Sequence, residues 1–209
     1  MLHVGLTGNV ASGKTSVAHH FSAWGATVID SDQIVREVQR PGSDVLAAIV
    51  SRFGDDVLQP DGALDRAALR RLVMGDEEAL ATLNTIVHPA VGERRAQLLK
   101  EASKRGDQVV VSDIPLLFEV LDPEEFDVIV LVHASEDLRR QRLIDRRGID
   151  RDEAARLLSS QLDSEGKRER SDIIIENDGT LADLALRSWE AWNAIQTWGA
   201  RRSDKGDGA

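Results

Sequence analysis

The stretch GNVASGKT, residues 8–15, constrains this chain most, because it matches G-x-x-x-x-G-K-[ST] at every fixed position. At average glycine usage, chance produces such a match in about one chain of this length in a hundred. The surroundings fit as well. LHVGLT at 2–7 reads as a buried strand, and a helical stretch follows from Lys14 to about Ala23. Gly8 and Gly13 allow backbone angles and close approach that a side chain would block. The loop residues Ala11, Ser12, Gly13, Lys14, Thr15 and Ser16 then offer successive N–H groups to phosphate oxygens. The helix beginning at Lys14 adds its positive dipole end. Lys14 bridges the outer phosphates, and the Thr15 hydroxyl ligates Mg²⁺. The alternative is an ordinary Gly-rich turn before a helix, and a full match in this context argues against it. A nucleoside triphosphate is therefore the expected ligand.

The rest of the pattern is that of an α/β doubly wound fold. ATVID (26–30), QVVVSDI (108–114), FDVIVLV (126–132) and DIII (172–175) are short apolar runs. Strands this apolar, separated by helices, indicate a parallel five-stranded sheet covered on both faces. Helices are predicted at about 135–147, 152–162 and 181–198. Residues 33–105 are mostly helical and too long for one crossover, so they are expected to form an inserted helical cap. Breaks are predicted at RPGSD, QPDGAL, near MGDEE and at His88-Pro89, and Leu80, Leu83, Ile86 and Val87 give an apolar stripe. Trp189, Trp192 and Trp198 are read as packing of the last helix. The core is then 1–32, 106–135 and 170–198, a lid spans about 140–165, and 201–209 reads as a disordered tail.

Composition removes several classes of function. With no cysteine, disulfides and thiolate metal sites are excluded. A net charge of -10 argues against nucleic acid or anionic membrane as partner. No apolar run approaches the roughly 20 residues needed to span a bilayer, and the N-terminus lacks a signal-peptide pattern, so a cytoplasmic protein is expected. A monomer or weak homo-oligomer is the expected state.

Three outcomes are open to a chain with this loop. A nucleotide switch that reads guanine needs N-K-x-D, which is absent downstream. A mechanical or regulatory ATPase needs an acid at a strand end. Asp113 supplies one, but Ile114-Pro115 follow it where such ATPases usually carry a second acid. A small-molecule kinase needs cationic lid residues and a carboxylate near the acceptor hydroxyl. Between Arg139 and Arg156 lie seven arginines against four acids, and Arg142 and Arg146 share a helix face. A solvated, salt-bridged helix face is the competing reading. Asp30 and Asp32 follow the second strand. Asp32 is either a helix N-terminal acid, worth about 1 kcal/mol, or the group that orients and deprotonates an acceptor.

Three separated motifs, GLTGNVASGKT, VIDSDQIVREV and SDIPLLFE, closely resemble dephospho-CoA kinase, a P-loop small-molecule kinase family. VHPAV (87–91), the Q-R-x-x-x-R of Gln141, Arg142 and Arg146, Gln161 and IIENDGT (174–180) extend the likeness. The resemblance implies ATP and dephospho-CoA as substrates, Mg²⁺ with the ATP, and phosphorylation of the ribose 3′-hydroxyl to give coenzyme A. It implies Asp32 as catalytic base and Asp30 as its support. His88, Leu117, Phe118 and Glu119 become parts of the acceptor pocket, although Leu117 and Phe118 read equally well as core. Arg142 and Arg146 become lid residues contacting ATP, Asn177 a residue near the adenine, and Asp113 an indirect Mg²⁺ contact through water. Two departures are Asn9 and Ala11, where the loop commonly has Gly; the small Ala11 is expected to be tolerated and to stiffen the loop. Shikimate kinase, with a similar DSDQ stretch, is the nearest alternative, but it lacks PLLFE and the long helical block.

Overall fold

The computed structural model describes residues 1–159 and 164–206; the side chains of Arg146, Arg147 and residues 200–206 lie outside the description. The elements fall in two compact units, 1–29 with 102–209, and 30–101.

The first unit is built on five parallel strands, β1 (Leu2–Thr7), β2 (Thr27–Asp30), β3 (Val109–Asp113), β4 (Val128–His133) and β5 (Ile173–Glu176). Their spatial order is β2-β3-β1-β4-β5. β3 is buried at all five positions, as expected of a β-branched run in a sheet covered on both faces. One face packs on α1 (Lys14–Ala23) and on the last helix. Val4, Leu6, Val111, Val130 and Val132 share a cluster there with Val17 and Phe21 of α1 and with Leu184, Trp192 and Ile195. On the other face Ile114, Leu117, Phe118, Phe126 and Ile129 form a second cluster. Register decides where chemistry can occur. Leu6 of β1 stands abreast of Asp113, and Thr7 abreast of Leu131, so the carboxyl ends of the central strands finish together beside the loop that starts at Gly8.

The second unit is the predicted helical insert, with a core of its own. It contains α2 (Ser31–Val38), α3 (Asp44–Phe53), α4 (Arg66–Val73) and most of α5 (Glu77–Arg105). Leu46, Ile49, Val57, Leu64, Leu69, Val73, Ala79 and Val87 close around one another. Side-chain caps start these helices: Ser43 Oγ accepts from Leu46 N–H at 3.1 Å, and Asp65 Oδ1 from Ala68 N–H at 2.9 Å. Each such cap is worth about 1 kcal/mol.

Several expectations need correction. The break at His88-Pro89 does not occur, because α5 runs through Pro89. Val87 and Val91 on either side of it are held in the same apolar cluster, so burial outweighs the one backbone bond that proline removes. Leu80 is 44% exposed and leaves the predicted stripe, while Leu83, Ile86 and Val87 keep it. In the first unit, PLLFE contains a short helix, α6 (Leu117–Val120), that the pattern did not suggest. After it come α7 (Glu136–Arg147), α8 (Arg151–Ser159) and a six-residue α9 (Ser164–Glu169); Gln161 and the rest of 160–163 lie outside the described residues. The last helix is α10 (Leu181–Gly206), and residues 207–209 of the expected tail lie outside the described residues. The packing read for the tryptophans holds for Trp192, which is core, and for Trp189, which meets Trp24 edge-on at 5.1 Å; Trp198 is 36% exposed.

Candidate active site

The loop between β1 and α1 is held from behind by residues far away in sequence. Asn177, 6% exposed, donates its side-chain amide to Ser12 O at 2.7 Å. Arg142, from α7, donates to Ala11 O at 3.2 Å and to Asn177 O at 2.8 Å. A peptide unit whose carbonyl is fixed has its N–H direction fixed too, so these bonds set the orientation of the loop amides. The resemblance put Asn177 near the adenine and Arg142 on ATP; as placed, both already serve the loop backbone. Arg140, two residues earlier, pairs instead with Glu136 and Asp137 on the exposed face. Arg140 thus follows the salt-bridged reading, while Arg142 donates to backbone carbonyls. The Arg146 side chain lies outside the description.

Two loop positions carry left-handed backbone. Gly13, the N-cap of α1, has φ 98°, and a Cβ built there would lie 2.1 Å from Asn177 Nδ2. Ala11 has φ 61°, a conformation that costs a non-glycine residue about 1 kcal/mol. Its packing with Val10 against Leu143, Ala154 and Leu158 of the α7–α8 pair offsets that cost. Ala11 is thus tolerated for a reason beyond its size. Gly13→Ala is expected to lower stability by about 2 kcal/mol or more from strain and clash. ATP affinity should fall at least tenfold. Thermal melts with and without ATP check both effects.

Lys14 and Asp113 meet as an ion pair, with side chains 13% and 8% exposed. This joins the invariant cation of the motif to the acid at the end of β3. Thr15 is exposed in the first turn of α1. Thr7 Oγ1, at the end of β1, donates to Pro115 O at 3.2 Å and ties PLLFE to the same strand end. Leu117 has no exposed surface and Phe118 has 8%, so both take the core side of the alternative left open for them. Glu119, with a side chain 23% exposed, reaches Lys167 Nζ at 2.9 Å.

In the other unit, the two aspartates separate cleanly. Asp30 is the N-cap of α2: its Oδ1 accepts from Asp32 N–H at 2.8 Å and from Gln33 N–H at 3.1 Å. Asp32 is exposed in the first turn, and its carboxylate accepts no hydrogen bond among the described residues. Asp30 accepts the orphan N–H groups, and Asp32 remains the acid in the first turn. His88 is exposed on α5.

Beyond the loop, Glu176 at the end of β5 binds Arg168 and His133 Nδ1, the latter at 2.7 Å. Burial pushes the Glu176 carboxyl up, but these hydrogen bonds outweigh it and leave the group below its ordinary value. His133, Glu176 and Asp178 offer ligand atoms within 4.8 Å of one another, yet Arg168 already supplies the positive charge there.

The chain as a whole is similar to known proteins. The family model for dephospho-CoA kinase matches residues 2–183. The chain belongs to the dephospho-CoA kinase family. A dephospho-CoA kinase of Thermobifida fusca is 45% identical over 196 residues, covering 94% of this chain and 97% of that protein. One from Mycolicibacterium paratuberculosis is 43% identical over 193 residues; the match covers 92% of this chain but only 47% of that relative, so the chain spans about half of its length. The crystal structure of TT1252 from Thermus thermophilus superposes with a TM-score of 0.80 at 35% identity, covering 92% of this chain and 96% of that one. Arg139, Ser164 and Lys167 belong to no motif read from the sequence. In sequence Lys167 is one charge among many in SEGKRER, and only its complete burial marks it.

Proposed function

We propose that this dephospho-CoA kinase family chain transfers the γ-phosphoryl of ATP to the ribose 3′-hydroxyl of dephospho-CoA, giving coenzyme A and ADP. The observation that carries this reading is a complete phosphate loop, braced by Arg142 and Asn177, whose Lys14 is paired with Asp113 at the end of β3. Such a loop positions a triphosphate for in-line transfer and needs little covalent chemistry from the protein. Lys14 neutralises charge that builds on the transferring group, and the N-terminus of α1 adds its dipole. Asp32 accepts the proton of the acceptor hydroxyl; its carboxylate is exposed and committed to no described partner. Asp30 holds the first turn of α2 that carries Asp32. The resemblance assigns Glu119 and His88 to the acceptor.

A divalent cation bound with ATP suits the donors present, which are hard oxygens. The exposed Thr15 hydroxyl and the Asp113 carboxylate would hold Mg²⁺, Asp113 through water. When bound, the ion neutralises charge on the β- and γ-phosphate oxygens. No described helix is long and apolar enough to cross a membrane, and action in the cytoplasm as a monomer or weak oligomer fits a soluble pair of substrates.

The test is ADP release by the purified chain with Mg-ATP and each candidate acceptor. Dephospho-CoA should accelerate release by at least a hundredfold over ATP alone, and shikimate should not. Stimulation by shikimate, or by neither acceptor, would overturn the assignment.

A further inference from the structure

The helix α9 and the residues that follow it connect parts of the first unit far apart in sequence. At its start, Ser164 Oγ accepts from Asn9 Nδ2 at 3.1 Å and from Arg139 Nη2 at 3.4 Å. Asn9 is the second residue of the phosphate loop, and Arg139 is 4% exposed. One turn further, Lys167 Nζ lies 2.9 Å from Glu119 Oε1. Arg168 pairs with Glu176 at the end of β5. Arg170 places its guanidinium 4.5 Å over the ring of Phe118. Two successive residues of PLLFE are thus gripped by this short segment, whose other end is bonded to the phosphate loop.

Lys167 is the decisive member. It has no exposed surface, yet it carries an ammonium in a place a methionine or leucine could fill. Removing an ammonium from water is costly and gives no advantage in stability over a well-packed apolar side chain. A buried lysine is therefore better explained by what it holds than by what it contributes to folding. It is ion-paired with Glu119, whose side chain is 23% exposed. A partly exposed carboxylate paired with a buried cation presents its oxygens at a set position. Such fixation preserves acceptor orientation without an ordering cost when the acceptor binds.

We propose that Lys167 is a positioning residue for the phosphoryl acceptor, acting through Glu119, and that α9 thereby links the acceptor-side motif to Asn9 of the phosphate loop. The proposal rests on the acceptor-side placement of Glu119 given above. The acceptor group that Glu119 receives is a hydroxyl or N–H donor of dephospho-CoA.

The experiment measures ADP release by the full chain, varying dephospho-CoA and ATP separately. It compares Lys167→Met, Lys167→Arg, Glu119→Gln and the Lys167→Met/Glu119→Gln double variant. Lys167→Met should lower kcat/KM for dephospho-CoA at least tenfold and change the KM for ATP less than twofold. Lys167→Arg, which keeps the charge, should recover to within about threefold of the parent. The double variant should be no worse than Glu119→Gln alone by more than twofold, since both changes break one interaction. If the two losses multiply while Glu119→Gln alone impairs the acceptor, Lys167 does not act through Glu119 and the proposal is overturned. If Glu119→Gln leaves acceptor kinetics unchanged, the placement of Glu119 fails and the proposal with it. Should Lys167→Met prove insoluble, the charge-free double variant decides: unaltered acceptor kinetics in that folded protein overturn the proposal.

Discussion

Asp32→Asn is expected to lower kcat with dephospho-CoA by about 10² or more, the usual loss for a general base. The KM for ATP should stay within about twofold. The structure makes this substitution unusually clean. The N-terminus of α2 is capped by Asp30, whose Oδ1 takes the N–H groups of residues 32 and 33. Asn at 32 leaves those bonds in place and loses only a favourable charge in the first turn, about 0.5 kcal/mol. A large fall in kcat with a nearly unchanged melting temperature would thus report chemistry, not folding. Asp30→Asn is the companion measurement: it should weaken the cap without the same collapse of kcat. An Asp32→Asn variant with parental kcat would remove Asp32 from the mechanism and leave it a surface acid.

Lys14→Met should lose activity and stability together. Activity should fall by about 10² to 10³ in kcat, because the cation that neutralises the transferring group is gone. Stability should fall by about 3 kcal/mol, because Asp113 stays buried without the ammonium that pairs with it. The two losses can be separated. In Lys14→Met/Asp113→Asn no buried carboxylate is left without its cation, so most of the stability should return while kcat stays low. Thermal or urea unfolding alongside ADP release reads both. If the double variant melted as low as the single, the pair would not be the source of the instability. If the single variant kept its kcat, Lys14 would not be the phosphate cation.

Much of this arrangement was legible in advance. The phosphate loop, α1 and all five strands are local patterns: glycines at fixed offsets, β-branched runs, and a switch to helical spacing. The helical insert was legible as well, because a helical block too long for one crossover must fold on itself. The break placed at Pro89 failed because proline has a local cost, and the burial of Val87 and Val91 that outweighs it is tertiary.

The site divides along the same line. Residue order alone determined that a triphosphate loop lies between β1 and α1, that Lys14 and Thr15 sit in its first turn, and that two aspartates follow β2. These follow from backbone geometry over a few residues, where spacing dictates direction. Only the tertiary structure decided which aspartate caps and which stays uncommitted. It also decided that Arg142 and Asn177 brace the loop from behind, that Leu117 and Phe118 are core, and that Lys167 holds Glu119. The loop's braces join residues 131 and 165 positions apart, and the Lys14–Asp113 bond joins residues 99 apart. Such partners are set by the strand order β2-β3-β1-β4-β5 and by the alignment of strand ends. No sequence spacing encodes them, because the sheet brings together strands that the chain keeps far apart.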